Sequence, residues 1–484
     1  MTEDMLLFAL FGLIILSALL LPMLGENVRN RVAGASAVAI TGIALSVGVL
    51  ALIHPPAALF AGGLDRIGAI FFMTNAIVGC ASALLSPGYL RGHTSSLLPE
   101  GARWYWLGFY LFWGSLLAIP ATTNLGSGWL LIEASTGTSA FLVAYSGGRR
   151  SLEAGWKYLI LTTMGLTVAF AGIVVLEAGE GAHLTGIAAL EWPVLHALVH
   201  QIPPATLYLA DILVFAGFAT KAGLAPVHHW LPDAHSEAPA PVSAMLSASL
   251  LPSVILILWR LQGVLGNPVG SINTSLFTIF GLFSIAVAVP FLWTALPVKR
   301  LLAYSTLEHV GVLAVGIGFA TPLALAGVIL HFTGHALAKS LGFYSSMPAM
   351  AAQKDGDHNP LSGLARQHRP AAAGLSVSLL ALGGAPPSPL FLSELLIMAG
   401  GIAAHQIWAT ILFAVLLAMG FLGLMRQAIE VSLGRTRHGS PHAQGGPIGW
   451  LLPATFSGLL LAVSAIAVWA YPMGRFLAHL GWMA

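Results

Sequence analysis

Charged residues are scarce in this sequence: Asp, Glu, Lys and Arg make up 8% of its 484 residues, against roughly 25% in an ordinary soluble protein. Hydrophobic residues make up 57%, which is more apolar surface than a soluble fold of this length can bury. The composition therefore excludes a cytosolic enzyme and a disordered chain. The net charge is only +2 and no basic block is present, so no nucleic-acid partner is expected.

Cysteine is almost absent as well. Cys80 is the single thiol of the sequence, so an internal disulfide cannot form, and structural zinc and iron–sulfur clusters usually need several thiolates. The glycine-rich loops that bind dinucleotides or nucleoside triphosphates are also missing. We therefore expect this chain to hold no cofactor and no metal, and to carry out no redox chemistry itself.

Long apolar segments dominate what the sequence does contain. A helix needs about 20 apolar residues to cross the hydrocarbon core of a bilayer, and fourteen segments approach that length. They lie near residues 5–24, 33–53, 67–86, 104–121, 126–145, 156–176, 208–227, 240–260, 272–293, 301–320, 322–347, 371–402, 406–425 and 450–471. The twelfth is long enough to be bent or broken. The sequence predicts an all-α integral membrane protein of about 14 transmembrane helices.

The positions of Lys and Arg predict an orientation. These residues are concentrated in the loops that follow odd-numbered spans, whereas the other side holds only Arg66, Arg260 and Arg475. Positively charged loops stay on the cytoplasmic side. We therefore expect a multi-pass protein of the cell inner (plasma) membrane with both termini on the non-cytoplasmic side. The first span is too long for a cleavable signal and is expected to be a permanent anchor.

Ionisable residues inside the spans are the functional candidates, because each is expensive in lipid and marks a transport pathway by default. The set is Glu133, Lys221, Glu308, His309, His331, His335, Lys339 and Glu394. For Glu133 the alternative is a structural clip in which a neighbour satisfies the buried acid. For Lys221 it is a side chain that extends to the membrane surface.

Lys221 has a sequence context that suits proton loading. Pro226 follows five residues later, removes a backbone donor and disturbs the helix beside the cation. A carboxylate about 5 Å from the ammonium would favour its protonated form by about 3 kcal/mol at an effective dielectric of about 20. Movement of a partner such as Glu133 would then load and unload a proton.

His331, His335 and Lys339 recur every four residues. They project from nearly one helix face, as a buried proton wire requires. The alternative is a metal site, because two histidines one turn apart can share a zinc ion. The Phe-Thr-Gly between the two histidines lacks the acid of a zinc protease.

Two proline-rich segments complete the pattern. The polar turn expected at 227–243 contains His228, which is positioned either to relay protons to water or to form a hydrogen-bonded corner. Glu394 follows Gly-Gly-Ala-Pro-Pro-Ser-Pro at 383–389, which must bend or break its span. Lys221 and Glu394 thus each mark an interrupted span, an arrangement that recurs in transporters built from inverted repeats.

The stretch from Thr220 to Met245, TKAGLAPVHHWLPDAHSEAPAPVSAM, resembles the signature of the proton-translocating, antiporter-like membrane subunits of complex I and related membrane hydrogenases. The similarity extends to the segment 299–309, to the series His331, His335 and Lys339 (the histidine stripe) and to the segment 386–394. It runs from about residue 104 to residue 402. Within that family, the sequence of these motifs is most similar to that of the F subunit of hydrogenase-4-type enzymes.

The resemblance implies fourteen helices with two inverted five-helix repeats and two broken helices. Residues 1–103 would form helices 1–3, 104–260 the first repeat, 271–425 the second, and 426–484 a connector and the last helix. Half-channels would meet along a polar axis at mid-membrane.

The resemblance also implies roles for individual residues. Glu133 would pair with Lys221, and His228 matches the histidine ahead of Trp-Leu-Pro-Asp. The stripe from His331 to Lys339 matches the connecting helix. Glu394 matches the terminal ionisable residue of the second broken helix.

Three departures from the family pattern stand out. Ser247 and Pro252 occupy places where relatives often carry a lysine or histidine, so water or another residue is expected to bridge the central relay. Pro297 replaces an acid commonly found two residues before Lys299. The long lateral helix of the largest relatives is not expected after the fourteenth span.

The resulting hypothesis is a proton-translocating subunit of a redox-driven complex, hydrogenase-4-like or complex I-like. Its expected partners are other subunits of that complex, the lipid bilayer, and protons or sodium. The alternatives are a cation/proton antiporter or inorganic-carbon uptake subunit of the same family, and a membrane metalloenzyme.

Overall fold

The computed structural model describes residues 2–54, 64–92, 101–179, 187–352, 362–434 and 449–469. Helices dominate these ranges, and no β-strand occurs within them. The helices up to the first break are α1 (Thr2–Leu20), α2 (Glu26–Ile53), α3 (Arg66–Gly92), α4 (Gly101–Ala118), α5 (Leu125–Val143), α6 (Arg149–Gly179), α7 (Trp192–Leu198) and α8 (Pro204–Ala222). Those that follow are α9 (Trp230–Glu237), α10 (Ala240–Met245), α11 (Leu251–Leu292), α12 (Val298–Phe319), α13 (Pro322–Ala352), α14 (Leu364–Gln367), α15 (Arg369–Leu382), α16 (Pro389–Ala403), α17 (Ile407–Leu433) and α18 (Leu451–Trp469).

The chain divides into two compact units. Unit 1 contains Met1–Leu84, Thr94–Gly223 and Glu237–Leu276, and unit 2 contains Leu85–His93, Leu224–Ser236 and Phe277–Ala484. In unit 1, α5 packs against α4 and α6, and α6 packs against α8. In unit 2, α13 is central and packs against α12, α15, α16 and α18. The two five-helix repeats are a finer division and stay a prediction.

Ten helical segments in the described ranges are long and apolar enough to cross a membrane. The apolar helices α15 and α16 are shorter. The all-helical, multi-span architecture is therefore confirmed, whereas the count of fourteen stays a prediction.

The predicted span 208–227 ends earlier than its apolar composition suggests. α8 stops at Ala222 because Gly223 adopts a φ of 75°, a left-handed conformation that glycine enters without steric cost. Pro226 then prevents the helix from resuming, and α9 begins at Trp230.

The predicted span 371–402 is broken into α15 and α16. Ser388 caps the second piece by accepting a hydrogen bond from the Phe391 amide at 3.3 Å. Pro389 occupies the first helical turn, where the missing amide proton costs nothing. The break therefore follows from the local sequence.

Two boundary predictions are wrong, and a pair of neighbouring spans is found as predicted. The segment 227–243, expected to be a turn, forms α9 and the start of α10, because Pro232 and Pro241 fall in the first turn of each helix, where proline is tolerated. The predicted spans 240–260 and 272–293 correspond to two separate membrane-length segments, Ala240–Gly266 and Ile272–Leu292, and the non-helical backbone of Gly266 (φ 47°) divides α11 between them. The expected connector 426–449 is helical up to Leu433, whereas residues 435–448 lie outside the described ranges.

Glycines spaced by seven residues on α6 allow α8 to approach closely. A Cβ added to Gly165 would lie 2.5 Å from Thr220 Cβ, and one added to Gly172 would lie 2.8 Å from the Val214 nitrogen. A Cβ on Gly179 would meet Ile202 and Thr206 at 2.8 Å. Small residues of this kind let backbones meet within a membrane, so α6 and α8 run antiparallel in close contact.

A similar stripe on α13 faces α16 in unit 2. A Cβ on Gly327 would lie 2.8 Å from the Ser393 carbonyl oxygen, and one on Gly334 would lie 2.7 Å from Pro389 Cγ. These contacts hold the second broken helix against the helix that carries the histidine stripe.

We expect Gly172→Ala to destabilise the protein by about 1–3 kcal/mol, the usual cost of overpacking, because the new methyl group meets backbone atoms of α8. Gly42→Ala on α2 is the matched control, since nothing lies within 4 Å of its added Cβ. Thermal unfolding of the purified protein measures both. A Gly172 variant as stable as the control would contradict the packing described here.

Candidate functional site

Lys221 is fully buried near the end of α8. Its ammonium donates hydrogen bonds to Thr136 Oγ1 on α5 (2.8 Å) and to the Tyr158 hydroxyl on α6 (2.5 Å). The ammonium also lies 4.3 Å from the centroid of the Tyr158 ring. A buried cation is stable only where polar groups replace its water, and these hydroxyls and the ring face do so.

The hydrogen-bonded chain continues from Tyr158 to Ser139 on α5, with 2.7 Å between the oxygens. Ser139 donates its own proton to the Ser135 carbonyl at 2.5 Å. Because a hydroxyl has a single proton, Tyr158 donates to Ser139 and accepts from Lys221. The chain therefore leads from Lys221 toward the ends of α5 and α6 that residues 144–148 connect.

Glu133 is half-buried on α5, one turn before Thr136. Its Oε1 accepts a hydrogen bond from Thr163 at 2.9 Å, and its buried Oε2 accepts none from the described residues. Glu133 lies within electrostatic range of Lys221. The hydrogen bonds of both side chains go to hydroxyl groups, so direct pairing of the two stays a prediction.

In unit 2, three side chains from three helices form a second hydrogen-bonded chain. His309 Nδ1 on α12 lies 3.0 Å from His331 Nε2 on α13, and His331 Nδ1 lies 2.8 Å from Ser393 Oγ on α16. Ser393 donates to the Leu390 carbonyl at 2.6 Å, so it must accept from His331. This assigns the His331 proton to Nδ1 and makes His309 Nδ1 the donor to His331. A proton arriving at His309 can thus be passed on to Ser393.

His335 and Lys339 extend this cluster along α13. The His335 ring centroid lies 5.0 Å from that of His309. Lys339 donates to the Leu302 carbonyl at 2.6 Å and to the hydroxyl of Ser305. All three stripe residues are fully buried, as their spacing predicts.

Glu308 and Glu394 flank the stripe with acidic groups. Glu308 is buried in unit 2 and packs against Gly420 on α17, where a Cβ would collide with its Oε1. It lies within electrostatic range of both Lys339 and Glu394. Gly384, with a φ of 74°, leaves room for Glu394: an added Cβ would lie 2.5 Å from Glu394 Oε2.

Glu394 lines a cavity of about 280 Å³ at the second break. Apolar side chains of α16 and α17, among them Phe391, Leu417 and Phe421, form most of its wall. Glu394 is 9% exposed and supplies the charged group in this lining.

His228 lies in unit 2 after the first break and is half-buried. Its ring stacks on His229 with centroids 4.8 Å apart, and its buried Nδ1 accepts no hydrogen bond from the described residues. Asp233 on the adjoining helix forms an ion pair with Arg300 at 3.3 Å. The segment therefore contains both a histidine pair and a hydrogen-bonded corner.

The metal alternative requires free lone pairs on His331 and His335. His331 uses both ring nitrogens for its bonds to His309 and Ser393. The rings of His331 and His335 stack with centroids 6.4 Å apart. In the part of the chain that the structure describes, no group of three or more metal-ligating side chains converges.

Sequence reasoning missed the neutral members of both chains. Thr136, Ser139, Tyr158 and Ser393 contact the ionisable groups, yet each is an ordinary residue within a helix. The one signal that could have found Ser393 is its position directly before Glu394.

Residues 121–420 match the family model described as NADH:quinone oxidoreductase/Mrp antiporter, TM. The match includes the Lys221 cluster and the histidine stripe. The chain belongs to this family. It is a membrane antiporter-like subunit of the complex I and membrane hydrogenase group, as its sequence predicts.

Two relatives and one solved structure are similar to this chain. The hydrogenase-4 component F homolog of Methylacidiphilum infernorum is 31% identical over 419 residues, covering 85% of this chain and 86% of the relative. NADH-quinone oxidoreductase subunit N of Desulforudis audaxviator is 32% identical over 294 residues, covering 59% and 54%. A chain of the membrane-bound sulfane sulfur reductase, an archaeal respiratory membrane complex, has the same fold: its TM-score is 0.83 at 21% identity, covering 98% of this chain and 96% of that one.

We expect Gly384→Ala to lower the melting temperature of the purified protein. The left-handed backbone costs an L-residue about 1–2 kcal/mol, and the new Cβ meets the Glu394 carboxyl group. Gly383→Ala is the matched control, because its φ is −73° and its added Cβ would meet other atoms only at 3.3 Å or more. Equal melting temperatures for the two variants would contradict this account of the break.

Proposed function

We propose that this chain is the proton-translocating subunit of a redox-driven membrane complex. The observation that carries the proposal is that a hydrogen-bonded chain adjoins the ionisable residue at each helix break. Lys221 is bonded to Tyr158, which is bonded to Ser139, in unit 1. The His309–His331–Ser393 chain in unit 2 ends at the residue that directly precedes Glu394 in the sequence. Buried ionisable groups linked in this way are typical of proton pathways through membranes.

In the proposed route, protons enter from the cytoplasmic side, reside on Lys221, pass the histidine stripe and leave near Glu394. The hydroxyls of Tyr158 and Ser139 lead from Lys221 toward the end of α6 that begins with Arg149 and Arg150, and the positive charge of these two residues favours the cytoplasmic side for this end. Both termini would then lie on the non-cytoplasmic side.

In this proposal, movement of the Glu133 carboxylate toward and away from Lys221 drives the loading and release of the proton. The carboxylate is bonded to Thr163 rather than held on Lys221, an arrangement suited to the state in which the lysine can release its proton. A carboxylate that approaches to about 5 Å would favour the charged lysine by about 3 kcal/mol. Opposing a potential of 100 mV costs about 2.3 kcal/mol per charge, so this movement is of the required size.

The two halves of the route have related parts, which supports inverted repeats at 104–260 and 271–425. Each unit has a helix with glycines spaced by seven, α6 and α13, packed against a broken helix. α13 packs against both pieces in unit 2, α15 and α16, and the piece before the break, α15, corresponds in chain order to α8.

The redox partner is proposed to be of the membrane hydrogenase type. The hydrogenase-4 component F homolog is covered over 86% of its length, whereas the subunit N relative is covered over 54%. Cofactors would reside in the partner subunits. The family description also includes Mrp antiporters, so cation/proton antiport, with sodium as the exchanged ion, is the second candidate.

We expect Lys221→Ala to abolish coupled proton movement, because the variant removes the group that holds the proton. The experiment uses the complex that copurifies with the tagged full-length chain, reconstituted in liposomes and driven by its own electron donor and acceptor. A dye inside the liposomes reports pH, and mass spectrometry of the copurified subunits identifies the redox partner.

Lys157→Ala is the matched control, since Lys157 is a partly exposed lysine on α6 paired with Glu153 at 2.5 Å. It should pump like the unmodified protein. Normal pumping by Lys221→Ala would overturn the proposed function, and proton movement that needs sodium but no redox partner would favour the antiporter.

Tyr158→Phe should slow proton movement by about tenfold, because a hydrogen bond to a charged group is worth about 1.5 kcal/mol. Tyr110→Phe is its control: Tyr110 is also a buried tyrosine, and its hydroxyl bonds to Ser36 at 2.7 Å. If both variants slow the rate equally, the hydroxyl of Tyr158 has no special part in the route.

A further inference from the structure

A buried acid in unit 1 takes no part in the proposed route. Asp211 on α8 is 1% exposed, and Asn273 on α11 is 3% exposed. The Asn273 amide donates to Asp211 Oδ1 at 2.5 Å. The other side-chain oxygens, Asp211 Oδ2 and Asn273 Oδ1, are buried and have no hydrogen-bond partner among the described residues. The pair thus holds two acceptor oxygens away from water.

Asp211 shares its helix with Lys221 but lies toward the opposite end. Ten residues separate them, which is about 15 Å along an α-helix. Lys221 is near the end of α8 where Tyr158 and Ser139 lead away, whereas Asp211 is about 10 Å from the first residue of the helix, Pro204. Asp211 therefore lies on the side of Lys221 that the hydroxyl chain does not serve.

A structural clip does not need a carboxyl group here. An amide side chain could hold Asn273 equally well. Because a carboxyl group costs free energy in an apolar membrane helix, a residue of this kind is usually functional. A carboxylate that is buried away from water with one neutral partner is strongly disfavoured. The neutral carboxyl group, with a proton on Oδ2, is therefore the favoured form in this state. A protonated carboxyl group can release that proton when water or a nearby charge favours it.

We propose that Asp211, held by Asn273, is a second proton-exchanging site of unit 1, which communicates with the end of α8 at Pro204. The O–H bond of the carboxyl group breaks, the proton passes to water at that end, and the carboxylate keeps the electron pair. The reverse step reloads the group. This inference rests on the proposed function, because it assigns a further residue to the same proton movement.

Lys221 and Asp211 are expected to influence each other. At about 15 Å and an effective dielectric of about 20, a charge on Lys221 shifts the protonation equilibrium of Asp211 by about sixfold. A loaded Lys221 thus favours release from Asp211, and an empty Lys221 favours reloading. The two groups on α8 would then hold the proton in turn, with Asp211 empty when Lys221 is loaded and loaded when Lys221 is empty.

The test compares Asp211→Asn with the unmodified protein in the reconstituted complex. The amide keeps the shape and the polar contact with Asn273 but cannot release a proton. We expect an unchanged melting temperature and proton movement slower by about tenfold or more. Infrared difference spectra taken during turnover should contain a carboxylic C=O band that shifts in D₂O and is missing in the variant.

Two further variants make the result decisive. Asp211→Glu should restore part of the rate and the band, because it returns an exchangeable carboxyl group. Asn75→Leu is the control for the loss of a buried amide elsewhere in unit 1: Asn75 is 1% exposed, and its amide donates to the Leu116 carbonyl at 2.9 Å. This variant should lower stability and leave the rate of proton movement per complex unchanged.

The outcomes separate this inference from the proposed function. If Lys221→Ala abolishes pumping while Asp211→Asn pumps normally and keeps every carboxyl band, Asp211 is only a helix clip and the inference is overturned. If Lys221→Ala pumps normally, the proposed function fails, and the Asp211 band still reports whether that group exchanges its proton. Should Asp211→Asn fail to fold, Asn273→Leu replaces it: an unshifted carboxyl band in that variant would also overturn the inference.

Discussion

The close approach of α6 and α8 is the constraint on which the Lys221 site depends. Gly165 and Gly172 let the two backbones meet, and this sets Tyr158 on α6 against the ammonium on α8. A side chain between the helices would move the cation away from its hydroxyl partners. An unpartnered buried charge costs several kcal/mol. The close helix packing therefore also stabilises the charge, because it places the hydroxyl partners against the ammonium. The glycines are thus as much part of the site as the lysine.

The same dependence governs unit 2. Gly327 and Gly334 bring α16 against α13, and only this contact places Ser393 beside His331. Within this packing, His331 has both ring nitrogens bonded to neighbouring side chains, His309 and Ser393. The result is a defined proton order along His309, His331 and Ser393 rather than a loose group of bases.

Much of this could be predicted from sequence, because the signals are local. Apolar length predicts the spans, glycine and proline predict both breaks, and a four-residue spacing predicts the shared face of His331 and His335. The rest depends on tertiary contacts. Tyr158 looks like any aromatic residue in a membrane helix, and its role appears only when α6 meets α8. Apolar composition misplaces helix ends where a backbone conformation, such as the left-handed Gly223, stops the helix first.

The neutral partners of Lys221 have a kinetic consequence. A carboxylate held permanently at about 5 Å would stabilise the charged lysine by about 3 kcal/mol, which is about a hundredfold in the equilibrium for proton release. Hydroxyl groups satisfy the ammonium without that penalty, and they can accept a proton as well as donate one. Glu133, bonded to Thr163, is close enough to act on the lysine but is not fixed to it. A site that must both hold and release a proton requires this balance, because binding that is too strong would stop the cycle at its first step.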